Sequence, residues 1–284
     1  MSISRMFPEL DDDLRKVRKM SIVEGMTSSY QDNLRRSNIF DVSIWWAPEY
    51  KEMFIQHPSL EALLAACEAK GIDGGIITSY KAANYNPQEG NEDLLGVLST
   101  QTKYYGCAVL VPEMFLDLQK GQQYLRRLKA NGIVAARIYP QRFRHSVKKY
   151  VLERMMNCLG QEDMPLIVWH IDTTFDDIDD LCSTYPNVKI VIDSMDRKLL
   201  YHARDYLSLL NNHQNLFMET HNLVLFQEFE LFHDLFQCRN LLYGSYFPFC
   251  TPDFSLYPVF AANIPEEEKQ AIFYQNARRV FSIK

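Results

Sequence analysis

The chain has 284 residues and a formal net charge of −6. That balance excludes a nucleic-acid partner, which needs a basic face, and still admits a small anionic ligand, because a local pair of arginines overrules a mildly acidic surface. Apolar residues make up 47% and charged residues 23%, ordinary for a globular protein, and no run of about 18 apolar residues occurs that could span a membrane.

Residues 1–36 are charged, with Asp11-Asp12-Asp13 followed by Leu14-Arg15-Lys16. Acids early and bases later suit the dipole of a helix. The segment is expected to be an N-terminal helical extension, packed on the body of the protein or on a partner subunit, so a homo-oligomer stays open. It lacks the apolar stretch of a signal peptide. The six cysteines, Cys67, Cys107, Cys158, Cys182, Cys238 and Cys250, show no C-x-x-C spacing and read as free thiols of a reducing compartment. A cytoplasmic protein is expected.

From Ile39 onward, short apolar runs alternate with amphipathic stretches. The predicted strands are Ile39–Ile44, Gly74–Thr78, Tyr105–Val111, Val134–Tyr139, Leu166–His170, Lys189–Asp193, Leu216–Met218 and Leu241–Gly244. Between them lie helices such as 60–71, stopped by Gly71, and 114–129, stopped by Asn131-Gly132. The last helix starts at Pro265-Glu266-Glu267-Glu268, since proline fits the first turn and acids oppose the dipole. Alternating strands and helices imply βαβ units. Eight repeats in this length, near the roughly 250 residues such a fold needs, predict a closed (β/α)8 barrel, an α/β fold, over residues 37–284.

Functional residues of such barrels sit at the C-terminal ends of the strands. Here those ends read Asp41-Val42-Ser43-Ile44-Trp45-Trp46, Trp169-His170-Ile171-Asp172, Asp193-Ser194-Met195-Asp196-Arg197, Glu219-Thr220-His221-Asn222 and Gly244-Ser245-Tyr246-Phe247-Pro248. Nothing resembles a G-x-S-x-G elbow, a P-loop or a dinucleotide fingerprint.

Four phrases carry a resemblance. They are Gly132-Ile-Val-Ala-Ala-Arg-Ile-Tyr-Pro140, Asn187-Val-Lys-Ile-Val-Ile192, Gly244-Ser245 with Pro248, and Gln275-Asn-Ala-Arg-Arg-Val-Phe281. In order and spacing the chain resembles the amidohydrolase-related family, the metal-dependent hydrolases with a TIM-barrel fold, from about Phe40 to the C-terminus. The resemblance implies a His-x-His pair after strand one, where this chain has Ser43 and Trp45. It implies a histidine after strand five, matched by His170, and one after strand six, where Ser194 stands. It implies an aspartate after strand eight, where Tyr246 stands. A catalytic zinc needs about three ligands of His, Cys or carboxylate type, so no metal and no other cofactor is expected. A cluster rebuilt from Glu219, His221, Asp193, Asp196 and His170 would be the exception.

The expected catalytic residues are His170, Glu219 and His221. His170 would transfer protons or be an inherited, hydrogen-bonded pocket residue. Glu219 and His221, two apart on an extended segment, share a side and permit a relay. Arg137 is read as a carboxylate or phosphate clamp, or as an ion pair to Asp172 or Glu219, with Arg197 as a second clamp or a solvent-facing residue. Trp45, Ser43, Ser194 and Tyr246 would line a small-molecule pocket, with Trp45 in the old metal space. His57, His145, His202, His213 and His233 are expected on the surface, and Asp176-Asp177 at a helix start. Two functions stay open: a metal-independent hydrolase or decarboxylase on a small carboxylated or cyclic substrate, and an inactive barrel that binds a small molecule or a protein.

Overall fold

The structure is a computed structural model that describes residues 12–48, 59–98, 101–194 and 202–283, without the side chains of residues 12–23. His57, Asp196 and Arg197 lie outside the described residues. The chain divides after Ser37 into two units. The first holds helix α1 (Asp12–Arg36), with Arg35 and Arg36 in its last turn.

The second unit alternates strand and helix. Its strands are β1 (Phe40–Trp46), β2 (Gly74–Ser79), β3 (Tyr104–Val109), β4 (Ile133–Ile138), β5 (Leu166–Trp169), β6 (Ile190–Asp193), β7 (Leu216–Glu219) and β8 (Leu241–Leu242). Its helices are α2 (Leu60–Ala69), α3 (Tyr80–Asn84), α4 (Pro87–Leu98), α5 (Leu118–Ala130), α6 (Lys149–Gln161) and α7 (Phe175–Thr184). They continue with α8 (Ala203–Asn212), α9 (Glu228–Phe236), α10 (Asp253–Ala261), α11 (Glu266–Gln270) and α12 (Asn276–Phe281). A π turn at Ala271–Gln275 joins the last two. All eight strands pair in parallel and in chain order. The ring closes through Val42 N–H to the Tyr243 carbonyl at 2.9 Å and Trp45 N–H to the Phe247 carbonyl at 2.7 Å. The (β/α)8 barrel read from the sequence is the fold. The acids Asp176 and Asp177 do begin α7, where Thr174 and Asp177 form a capping box.

The lower barrel core takes residues from every strand: Phe40 and Val42, Ile76, Cys107, Ala135, Ile167, Val191, Phe217 and Leu242. Ala277, Val280, Phe281 and Ile283 plug it from below. Side chains alternate along a strand, so a step of two from each core residue reaches the mouth side of the lumen. That step gives Thr78, Val109, Arg137, Trp169, Asp193, Glu219 and Gly244. In β1 the pairing register shifts between Asp41 and Ile44. A bulge reverses the alternation, so Ser43 and Trp45 face the lumen while Ile44 packs outside against Gly75.

Candidate active site

Arg137 reaches into the middle of the lumen. Its Nη1 donates to Asp193 Oδ2 in a buried ion pair, and its guanidinium carbon lies 5.3 Å from the Trp45 ring. Strands β1, β4 and β6 are not neighbours, so these contacts cross the barrel interior. Arg137 is 2% exposed and is the one Lys or Arg among the buried described residues. Its ion-pair partner is Asp193, neither Asp172 nor Glu219. Its Nη1 is committed to Asp193, while its Nε is buried with no hydrogen-bond partner among the described residues.

Two further carboxylates are fully enclosed. Glu219 Oε1 accepts from Ser194 N at 2.7 Å and from Ser194 Oγ, and its Oε2 accepts from His221 N at 3.2 Å. Gly244 is required here, because a Cβ would stand 2.0 Å from Glu219 Oε2. Asp41, given no role from sequence, accepts from Ser43 N at 2.9 Å, from Ser245 N at 3.0 Å and from Ser245 Oγ. It thereby ties β1 to the segment after β8. Burial pushes its pKa up to about 7, against the opposing pull of these hydrogen bonds and with a small push from Glu219.

A pH effect on stability follows. An Asp whose folded pKa lies above the unfolded 3.8 binds an extra proton when folded, so its contribution falls as pH rises from about 4 to 7. Asp41→Asn imitates the protonated acid. Relative to wild type, this variant is expected to gain roughly 1–3 kcal/mol between pH 5 and pH 8, read from urea denaturation at the two pH values. A constant difference across that range would refute the assignment.

His170 follows β5 directly and is 6% exposed. Its Nδ1 lies 3.0 Å from the Asp193 carbonyl. A carbonyl only accepts, so Nδ1 carries the proton and Nε2 presents a lone pair. That Nε2 is buried without a hydrogen-bond partner among the described residues. Burial first, then His202, push the His170 pKa down to about 4, and Glu219 opposes them. The ring stacks on Phe175, with centroids 6.4 Å apart.

Above the ion pair sits an aromatic layer. Trp45 and Tyr139 pack with Ala82, Ala83 and Val109, joined by Tyr80, Phe143, Trp169, Tyr246 and Phe249. Tyr246 adopts φ +60, a left-handed conformation that costs a bulky residue energy and often marks a functional site. Its ring meets Trp45 edge-on at 6.0 Å, stacks on Phe249 at 5.0 Å and lies 5.4 Å from His221. His221 also lies 6.0 Å from Phe254.

The structure thus brings Ser43, Trp45, Arg137, His170, Ser194, Glu219, His221 and Tyr246 to one end of the barrel. Ser194 is committed to Glu219, and the buried Ser43 Oγ has no hydrogen-bond partner among the described residues. Sequence reading passed over Asp41, Tyr139 and Arg142. The other histidines are less exposed than expected: His213 and His233 are half-buried against Asp179 at 2.6 Å and Glu268 at 2.8 Å, and His145 is half-buried too. Only His202 among the described ones is exposed. Among the described residues no three His, Cys, Asp or Glu converge as a metal site requires, so the rebuilt cluster has no counterpart there.

A profile of the amidohydrolase family matches residues 106–283. This chain belongs to the amidohydrolase family. No curated protein matches it. Among solved structures it resembles a TIM-barrel protein, Bb4693, from Bordetella bronchiseptica, with a TM-score of 0.67, 14% identity, and 86% of this chain and 98% of that chain covered. It also resembles a dihydroxybenzoic acid decarboxylase from Polaromonas sp. JS666 with bound manganese and the inhibitor 2-nitroresorcinol, at TM-score 0.65 and 15% identity over 87% of this chain and 97% of that one. A third is a putative 2-pyrone-4,6-dicarboxylic acid hydrolase from Pseudomonas putida, at TM-score 0.64 and 15% identity over 86% and 97%. These likenesses establish the fold. No described helix is long and apolar enough to cross a membrane.

Proposed function

We propose that this amidohydrolase-family barrel, residues 37–284, is a metal-independent hydrolase acting on a small planar carboxylated substrate, with residues 1–36 as an extension and the cytoplasm as its compartment. The observation that carries the reading is the buried, unpartnered His170 Nε2 at the mouth. With its pKa at about 4, His170 is a free base at neutral pH. The neutral ring has a lone pair that can accept a proton from water, though it is a weak base at this pKa, and no Nε2 proton to give to a ring carbon, as decarboxylation requires. Hydrolysis of an ester or lactone therefore suits the site better. His170 Nε2 takes the proton of a water, the hydroxide adds to the carbonyl carbon, the C–O bond breaks, and the leaving oxygen takes the proton from the imidazolium. Glu219 favours the charged imidazolium. Trp45 and Tyr246 wall the ring, and Ser43 Oγ is free to hydrogen-bond it. His221, bonded through its backbone to Glu219, positions that carboxylate.

The residues present do not fit the family's metal. Of the positions that resemblance assigns to ligands, only His170 offers a donor, and the lumen between them is filled by the Trp45 ring and the Arg137 guanidinium. Arg137 supplies there a fixed positive charge that Asp193 balances. The pyrone and dihydroxybenzoate chemistry named for the structural neighbours supports a carboxylated ring as the substrate class. The test is turnover of 2-pyrone-4,6-dicarboxylate and of 2,6-dihydroxybenzoate before and after treatment with a chelator. Ring opening of the pyrone that survives chelation is expected. Activity lost on chelation and restored by manganese would refute metal independence, and carbon dioxide release alone would replace hydrolysis by decarboxylation.

A further inference from the structure

The loop after β4 carries a second guanidinium, that of Arg142, which is half-buried at the mouth. Its carbon lies 4.7 Å from the Tyr139 ring and 5.8 Å from the Trp169 ring. Its Nη1 donates to the Ala83 carbonyl at 2.9 Å, the one hydrogen bond its side chain makes among the described residues. Arg137, five residues earlier, is buried and ion-paired to Asp193; Arg142 is half-buried and makes no ion pair among the described residues. Asp172 is close enough for Arg142 to pull its pKa down, against the burial that raises it. Yet the Asp172 carboxylate is turned to the loop backbone, where it accepts from Gln141 N at 3.2 Å.

An arginine whose face is occupied by aromatic rings keeps its edge for ligands. A guanidinium carries five N–H donors in one plane, matched to the two oxygens of a carboxylate. Stacking on Tyr139 and Trp169 and the anchor at Ala83 hold that plane in advance, which lowers the ordering cost of binding. Trp169, which Arg142 meets, is followed in the chain by His170, the proposed base. The surrounding Tyr80, Phe143, Tyr246 and Phe249 favour a flat ring over an aliphatic chain.

We propose that Arg142 is the specificity residue of this mouth and binds the carboxylate of a planar ring acid, placing the ring against the aromatic layer beside His170. This inference rests on the hydrolase reading and can fail without it. The probes are 2,6-dihydroxybenzoate and its neutral isostere 2,6-dihydroxybenzamide, titrated by calorimetry into the full chain. Wild type is expected to prefer the acid by about tenfold or more. Arg142→Gln keeps a donor for the Ala83 carbonyl and removes the charge; it should erase the preference and leave amide binding and thermal midpoint nearly unchanged. Arg142→Lys should retain part of the preference. A full preference in Arg142→Gln overturns the role of Arg142 while the hydrolase reading stands. Loss of acid and amide binding together in a folded Arg142→Gln would show a structural clasp, and overturns it too. Binding of neither probe by wild type overturns both readings, whereas turnover that persists in His170→Asn overturns only the role of His170 as the base.

Discussion

Arg137→Met is expected to destabilise the barrel by about 3–5 kcal/mol, the usual cost of stranding one partner of a buried ion pair. Asp193 is fully buried, and Arg137 forms a buried ion pair with it. Methionine replaces the length of the side chain and removes the cation of this buried ion pair. The stranded group would respond by binding a proton, so the loss should be smaller at pH 5 than at pH 8. Adding Asp193→Leu removes the stranded charge, and the double variant should recover most of the loss, because an apolar pair of similar volume often replaces a buried ion pair at little cost. Urea denaturation of the two single variants and the double variant closes the cycle. A loss below about 1 kcal/mol in Arg137→Met would place the pair in the class of solvent-screened bridges and remove the basis for a fixed cation in the lumen.

That pair also shows how far the sequence could be read. The barrel was legible because eight apolar runs recur between amphipathic stretches. A period of two leads from Ala135 to Arg137 and from Val191 to Asp193, so both residues could be placed in the lumen. Their pairing could not, since it depends on which strands face each other across the barrel at one height. The bulge in β1 is equally silent in sequence, although it decides that Ser43 and Trp45, and not Ile44, enter the lumen. Asp41 stood in a phrase read for its neighbours. Its contacts come from Ser245, 204 residues later, and only ring closure brings the two together. Arg142 sits in an irregular loop where no periodicity points a side chain, and its significance lies in two rings from different segments.

His170→Asn is expected to lower kcat of the proposed hydrolysis by about 10²–10⁴-fold, the contribution of a positioned general base, while leaving ring-acid binding and the thermal midpoint nearly unchanged. Asparagine can still donate to the Asp193 carbonyl, so the hydrogen bond at the strand end is kept; what disappears is the ring with its Nε2 lone pair. The pH profile separates this role from a structural one. With its pKa at about 4, wild-type His170 stays a free base through the neutral range, and kcat/KM should hold level as pH falls to about 5 and drop only as the ring takes a proton. Glu219→Gln removes the carboxylate that favours the imidazolium, so the acid limb should move lower still, and kcat should fall because the transition state must carry that positive charge. The signs matter. A structural His170 would yield stability changes without a shift of the limb, and an acid limb near 6.5 would mean that the ring is solvated when substrate is bound. An acid limb that persists unchanged in Glu219→Gln would detach Glu219 from His170 and leave the base working alone.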